Sequence, residues 1–548
     1  MIYPATTPGS SHETTTTHHD SVNPNNLLSA QERGHDPKGR FTLAIWLDRT
    51  VFFGLCSLVV VAPHNVHIAR FILFTSFALW ITGLFVSGTR PRNFSLAAPS
   101  LAFLLLTALA ASFSFAPLLS WERIGWFTLL TLWIVAAHSV TNLWRAKFLI
   151  ILLLASTMAS AMRTGWQYLH GIGAELTTIS PDTLLYRDGL RSGDIIQEVN
   201  GSPTRSPDAW EKAWRATAGS ERLQLRLARG APTEFLHVVL PRKDVQQWLN
   251  LPGNNIAPGR PVRAQGHFYH YVPYAGMLTG VSLLAFGLLL MSGDAVFGVR
   301  VTLLVTFIAL VTALLATVTR TYLAALLLGC VAEFLLVRRK FRMLAIGILA
   351  LSVAGATLWI QKERGYGWVA AADPGTDYRL LMWKTAGKLI PQHPLLGIGP
   401  DSVIAFGDLW KIEAYEKYPL RSHFHSTYVQ LAVDCGLPCL GAWLWLMTAF
   451  IVLLWRTWRL GTNSDWFTRG TLLGICGATL GFLAASFVHY NLGDGEVMIF
   501  VWLFMGMVTG LAETMRPGLT QVAELPALAL QPPNPIQDVR DSDEFITR

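Results

Sequence analysis

The sequence predicts an all-α polytopic membrane protein of about twelve transmembrane helices, interrupted by one small α+β insert. Three observations predict it. Only 14% of the 548 residues are charged while 52% are hydrophobic, where a soluble domain carries about 25% charge, and mean hydropathy is +0.38. The apolar residues run in blocks of roughly 18–22, the length that crosses about 30 Å of hydrocarbon at 1.5 Å per residue. Lys and Arg, which exceed Asp and Glu to give a net charge of +8, collect in alternate turns between the blocks. A soluble enzyme and a disordered scaffold are excluded by composition. An outer-membrane barrel is excluded because its strands alternate over about ten residues instead of running apolar throughout.

The spans are expected near 43–63, 67–88, 94–114, 121–141, 146–163, 271–291, 297–318, 320–337, 343–361, 427–455, 470–490 and 496–515. Asp48 and Arg49 interrupt the first. Residues 1–40, rich in Thr, His, Asn and Ser, and the Pro-rich tail 516–548 read as disordered cytoplasmic segments. Five spans (41–163), an insert (164–270), four spans (271–361), a second long loop (362–426) and three spans (427–515) lie between the tails. Arg90, Arg92, Arg145, Lys147, Arg300, the run 338–342, Arg456, Arg459 and Arg516 fall on one side, and few basic residues on the other. The positive-inside rule then places both termini in the cytoplasm and both long loops outside. Cys56, Cys330, Cys435, Cys439 and Cys476 sit in or beside apolar blocks and read as buried small hydrophobes. Their spacing suggests no disulfide or zinc framework, and no metal, cofactor or nucleic-acid partner is expected.

The insert carries Gly189, Leu190, Gly193, Asp194 and the turn Asn200-Gly201, followed by two alternating strands. This pattern resembles a bacterial PDZ domain. The resemblance implies capture of a protein C-terminus by strand addition, with Gly171 and Gly173 where the carboxylate loop belongs. A spacer domain without a ligand is the alternative.

Four polar groups lie at the outer ends of the spans. Arg320 sits between spans seven and eight, where it serves either a site or interfacial anchoring. In 377–402, helical spacing sets Arg379, Met382 and Trp383 on one face, with Lys384 and Lys388 following, as in an amphipathic surface helix. Gly397 and Gly399 then offer N–H groups to an anion. In HFHSTYVQLAVDCGLP, His423 and His425 enter span ten with Tyr428 at helical spacing. A neutral imidazole there can accept a hydroxyl proton, or serve only a structural hydrogen bond. Finally His489, Asn491, Asp494 and Glu496 gather before the last span, where Asp494 can equally cap the helix.

TRTYLA, then R-x-x-x-W…HPLLGIGPDS, then H-S-T-Y-x-Q-L-x-x-x-x-G-L-P in this order resemble the O-antigen ligase and polymerase superfamily over roughly 300–515. Ser426 stands where many members have Asn, and the insert is outside the usual pattern. The resemblance implies a bacterial inner-membrane glycosyltransferase with a periplasmic site. It would move glycan from undecaprenyl diphosphate, a substrate carrier and no cofactor, to an acceptor hydroxyl on lipid A-core, a growing polymer or a protein. It maps the catalytic roles onto Arg320, Arg379 and His425, with His423, Tyr428, Lys384, His489 and Asp494 as substrate-binding candidates. A non-catalytic transporter or peptide-sensing envelope protein is the reading from another class.

Overall fold

The computed structural model describes residues 37–88, 95–170, 173–229, 234–253, 255–259, 263–268, 270–337, 355, 374–418 and 421–515. The tails before 37 and after 515, the basic turns at 90–92 and 338–342, the ninth span apart from Gly355, and Gly171 lie outside them. In the first half, α1 (Pro37–Val61), α2 (Val66–Ser87), α3 (Ala97–Ser112), α4 (Pro117–Ile124), α5 (Thr131–Ser139) and α6 (Leu143–His170) precede the insert. After it come α10 (Tyr271–Met291), α11 (Phe297–Ala316) and α12 (Arg320–Val337). The second loop holds α13 (Pro374–Gln392), α14 (Ser402–Phe406) and α15 (Glu413–Lys417). It leads to α16 (Thr427–Asp434), α17 (Gly436–Leu460), α18 (Trp466–Ala485) and α19 (Gly495–Thr514). Ten helical segments among the described residues are long and apolar enough to cross a membrane, and α3 is a shorter apolar helix. The chain is a multi-pass membrane protein.

Three boundaries differ from expectation. The first helix begins at Pro37, inside the expected tail, and α6 runs to His170, past the expected end of span five. The expected span 427–455 is two helices, because Cys435 leaves helical geometry (φ −122°, ψ 0°) and Gly436 takes φ +80°. A side chain at Gly436 would collide with the Leu395 carbonyl, and the Leu437 N–H is drawn to Pro394 O at 2.8 Å. The polar Asp48 does not break α1, because Arg145 of α6 donates to it at 3.1 and 2.5 Å. Lys147 pairs likewise with Asp465 at 2.6 Å, so these basic residues gather at one end of the bundle.

Among the described spans α19 is the most buried, with 89% of its apolar window covered against 17% for α2. A helix apolar on all sides belongs inside a bundle. Small residues set the crossings, since lipid gives helices no hydrophobic reason to associate and close backbone approach must supply it. A Cβ on Gly474 of α18 would stand 2.5 Å from Leu284 Cα and 2.8 Å from Leu284 O of α10. Gly506 and Gly510 of α19 press on α5 in the same way, against Trp133, Ala137 and Val140.

The insert is α+β as expected. Strands β1 (Ala174–Leu176), β2 (Ile195–Val199), β3 (Ser202–Pro203), β4 (Arg222–Arg229), β5 (Glu234–Pro241) and β6 (Ile256–Pro258) pair antiparallel in the order β5-β4-β2-β1-β6, with β3 on β2. Helices α7 (Leu184–Arg187), α8 (Pro207–Ala216) and α9 (Arg242–Leu249) accompany the sheet, whose core includes Leu176, Ile196, Leu225, Trp210 and Trp248. Asn200 and Gly201 both take positive φ, 49° and 77°, the conformation a two-residue hairpin requires. Asp194 is fully buried and receives two bonds of 2.6 Å from Arg229, so its place in the motif is structural.

Gly474→Val should force α10 and α18 apart, because backbone atoms cannot yield to the new methyl groups. We expect a loss of about 1–3 kcal/mol, read as a lower thermal midpoint in detergent. A wild-type midpoint would contradict this crossing.

Candidate active site

The second loop folds onto its own small core, in which Tyr378, Met382, Ala386 and Leu389 of α13 meet Ile398, Val403, Ile412 and Phe424. The apolar face of α13 is thus covered by protein, where the sequence suggested a helix lying on the membrane surface. The core fixes the turn before α16. Phe424 donates its N–H to Gln430 Oε1 at 2.7 Å and accepts from Trp383 Nε1 at 2.8 Å. Thr427 N–H reaches Ser486 O (2.9 Å) and His489 O (3.0 Å) beyond the end of α18. Ser426 caps α16 by accepting the Val429 N–H at 3.4 Å. Held on both sides, His425 takes φ +53°, a left-handed conformation that costs a non-glycine residue roughly 1–3 kcal/mol. Its N–H donates to His423 Nδ1 at 3.0 Å, which leaves that nitrogen unprotonated and the His423 ring neutral.

The rings cluster. The centroids of His423 and His425 are 4.3 Å apart, Tyr378 stands edge-on to His425 at 5.5 Å, and Tyr490 packs on His423 at 5.5 Å. His489 stacks on Tyr322 of α12 at 5.3 Å with the planes 7° apart. The Tyr322 hydroxyl donates to Asn491 Oδ1 at 3.2 Å. Burial is the main force holding the imidazoles below their ordinary range. It pushes His423 down to about 3, helped by Arg123, Arg379 and His270. His425 lies well below 6.5 from burial, then from His423, Arg379, His489 and His270. His489 is lowered by burial, Arg379, His423 and His270, and His270 falls to about 4 through burial, Arg263 and Arg226. At pH 7 these four rings are neutral, beside guanidinium groups that stay charged. Such a set suits an anion with hydroxyl groups nearby.

The structure therefore brings Arg379, His423, His425 and His489 within electrostatic reach of one another. Arg320 opens α12 two residues before Tyr322, at the same end of the bundle. Its turn is shaped by Val318 at φ +51° and by a hydroxyl bond of 3.0 Å between Thr317 and Thr319. Other expected residues sit elsewhere. Lys384 points to Glu413, bonding both carboxylate oxygens at 2.9 Å. Tyr428 donates to Leu483 O at 3.0 Å and packs on Phe487, joining α16 to α18. Asp494 occupies the cap position of α19, yet its side chain makes no capping bond. Gly397 and Gly399 do not offer free N–H groups, since they donate to His393 O (3.1 Å) and Asp434 O (2.8 Å). In the insert, Gly173 (φ +89°) allows a close approach to Ile195 and Ile196 at the start of β1.

Sequence reading missed Arg123, His270, Tyr378 and Tyr490. His270 holds the Val272 N–H on its Nδ1 at 3.2 Å, opening α10, and Arg123 pairs with Asp401 at 3.5 Å. For Arg123 and His270 the available signal was an ionisable group at the end of a span, the same signal that singled out Arg320. Among the described residues no group of three or more His, Cys, Asp or Glu is placed to hold a metal ion.

Residues 305–444 match the family model described as O-antigen ligase. The matched segment includes Arg320, Arg379, His423 and His425 and leaves out Arg123, His270, His489 and Asp494. No curated protein matches the chain.

Burial, with Glu496 assisting and Arg123 opposing, raises the Asp494 carboxyl to about 8. Its unfolded value is about 3.9, so between those values the folded state holds a proton that the unfolded state lacks. That contribution to stability is complete below about pH 4 and is lost as pH rises through 8. Thermal midpoints in detergent between pH 5 and 9 should therefore fall less steeply for Asp494→Asn than for wild type. Equal slopes would place the carboxyl in water.

Proposed function

We propose that this protein is an inverting, metal-independent glycosyltransferase of the bacterial inner membrane, acting on the periplasmic side. It moves glycan from undecaprenyl diphosphate to an acceptor hydroxyl, as an O-antigen ligase or polymerase. The observation that carries the reading is a ring cluster built from two separate segments: His423 and His425, 4.3 Å apart, with Tyr378, the neighbour of Arg379 on α13, edge-on to His425 at 5.5 Å, meet Tyr490 of the turn after α18 at 5.5 Å. The first of these segments, with Arg379 itself, lies inside the matched family region.

Arg320 and Arg379 hold the diphosphate oxygens, since guanidinium binds such oxygens in two-pronged fashion. His425 orients the acceptor hydroxyl and takes its proton as the oxygen attacks C1. The bond from C1 to the diphosphate oxygen breaks on the opposite face, and undecaprenyl diphosphate leaves with the electron pair. Cations fixed where that charge develops supply the largest part of the acceleration. An imidazole this weakly basic is a poor proton acceptor alone. The bound diphosphate adds negative charge beside it and raises its basicity when it is needed.

A protein O-oligosaccharyltransferase is the second reading, favoured by the α+β insert as a device to grip an acceptor protein. Glycans from a deletion strain separate the acceptors. Unpolymerised repeats indicate a polymerase, rough lipopolysaccharide with intact polymer a ligase, and an unglycosylated protein the third.

Transfer from a defined undecaprenyl-diphosphate oligosaccharide by protein in detergent tests the chemistry. His425→Ala should lower kcat about 100-fold or more, and Arg379→Gln or Arg320→Gln about 100- to 1,000-fold, or roughly 3–4 kcal/mol of barrier. A chelator should leave the rate unchanged. The rate profile of kcat/KM should stay level through pH 6, because His425 in the free protein protonates only well below its ordinary value. The acid limb of kcat should lie at higher pH, reflecting the bound diphosphate. Wild-type turnover by a folded His425→Ala protein would refute the assignment.

A further inference from the structure

The first half of the chain contributes an arginine to this site through α4. The turn before α4 is docked on the second loop. Phe115 N–H bonds Ile398 O at 3.2 Å, Ser120 Oγ donates to Pro400 O at 2.6 Å, and Ser114 Oγ meets Ser120 Oγ (2.7 Å) and Ser402 Oγ (2.9 Å). From this platform Arg123 reaches across to the turn between α18 and α19. Its Nε lies 3.5 Å from Asp401 Oδ1, and its guanidinium sits 5.7 Å from the centre of the Tyr490 ring. A Cβ on Gly493 would come within 2.7 Å of an Arg123 amino group, so the glycine leaves room for the side chain. Tyr490 in turn packs on His423, whose Nδ1 receives the His425 N–H.

We propose that Arg123 is a positioning residue for His425, acting through the Tyr490 ring and His423. The proposal rests on the glycosyltransferase reading above for its kinetic consequence, but not for its physical content. Two effects operate. Cation–π contact fixes the ring that His423 leans on, and the positive charge disfavours a proton on His423. Protonation at Nδ1 would replace the acceptor by a donor and remove the bond that anchors the left-handed His425. The groups that bear on His423 are Arg123 of α4, Arg379 of α13, His270 before α10, and His425 and His489. Asp401, Asp434 and Asp494 lie around Arg123 itself.

The test uses full-length protein in detergent with Arg123→Gln, Tyr490→Leu and the double variant. Carbethoxylation of His423 by diethylpyrocarbonate, mapped by peptide mass, reports its neutral fraction independently of catalysis. In wild type the rate should stay level from pH 7 down to about pH 4, because burial and the nearby cations hold His423 at about 3. In Arg123→Gln the half-maximal pH should rise by about one unit or more. In the transfer assay each single variant should lower kcat at least tenfold with KM within threefold, and the double should cost no more than the larger single. An unchanged modification profile in Arg123→Gln overturns the proposal, as does a raised KM at unchanged kcat or a fully additive double variant. Should wild type transfer no glycan, the proposed activity fails while the modification profile still decides the role of Arg123. Should Arg123→Gln not fold, Arg123→Lys, which keeps the charge and loses the planar guanidinium, should hold the wild-type profile and still lower kcat.

Discussion

Two carbonyl oxygens at the end of α18 support the rest of the site. Those of Ser486 and His489, just past the helix, accept the Thr427 N–H, with the hydroxyls of Ser426 and Thr427 added at 3.3 and 3.2 Å. Backbone polar groups near hydrocarbon must be satisfied within the protein, so the end of one span and the start of α16 are forced together. That single junction fixes Ser426, hence the left-handed turn at His425, hence the bond from His425 to His423. The same turn brings His489 beside Tyr322 and so ties α12, which Arg320 opens, to the imidazole cluster.

Electrostatics follow from this packing. Enclosure makes the imidazoles neutral and leaves positive charge to the arginines, so hydrogen-bond acceptance and charge stabilisation fall to different side chains. Such a division suits a reaction that must take a proton from an alcohol and hold a departing diphosphate at once. Each role then survives pH changes that would titrate an ordinary histidine.

Much of this was readable from local pattern. Apolar blocks gave the spans, because membrane thickness acts on length and composition alone. Asn200-Gly201 announced its hairpin. His425, Arg379 and Arg320 stood out as polar groups at the ends of apolar helices. What local pattern could not show was pairing across the chain. Lys384 read as a substrate-binding candidate, and helical spacing could not show its bond to Glu413, 29 residues on. Gly397 and Gly399 suggested an anion loop, but their N–H groups bond chain carbonyls and their bare α-carbons admit the backbone of α16 and Ser114. The split at Cys435 and Gly436 depends on the approach of Leu395, and Arg123 gains meaning only once Tyr490 is placed beneath it.

The central claim is that Arg320 and Arg379 share one diphosphate. Equilibrium binding of undecaprenyl diphosphate to protein in lipid nanodiscs, compared among wild type, Arg320→Gln, Arg379→Gln and the double variant, tests it most directly. The account predicts at least tenfold weaker binding for each single variant and further weakening in the double. Wild-type affinity in either folded single variant would contradict it.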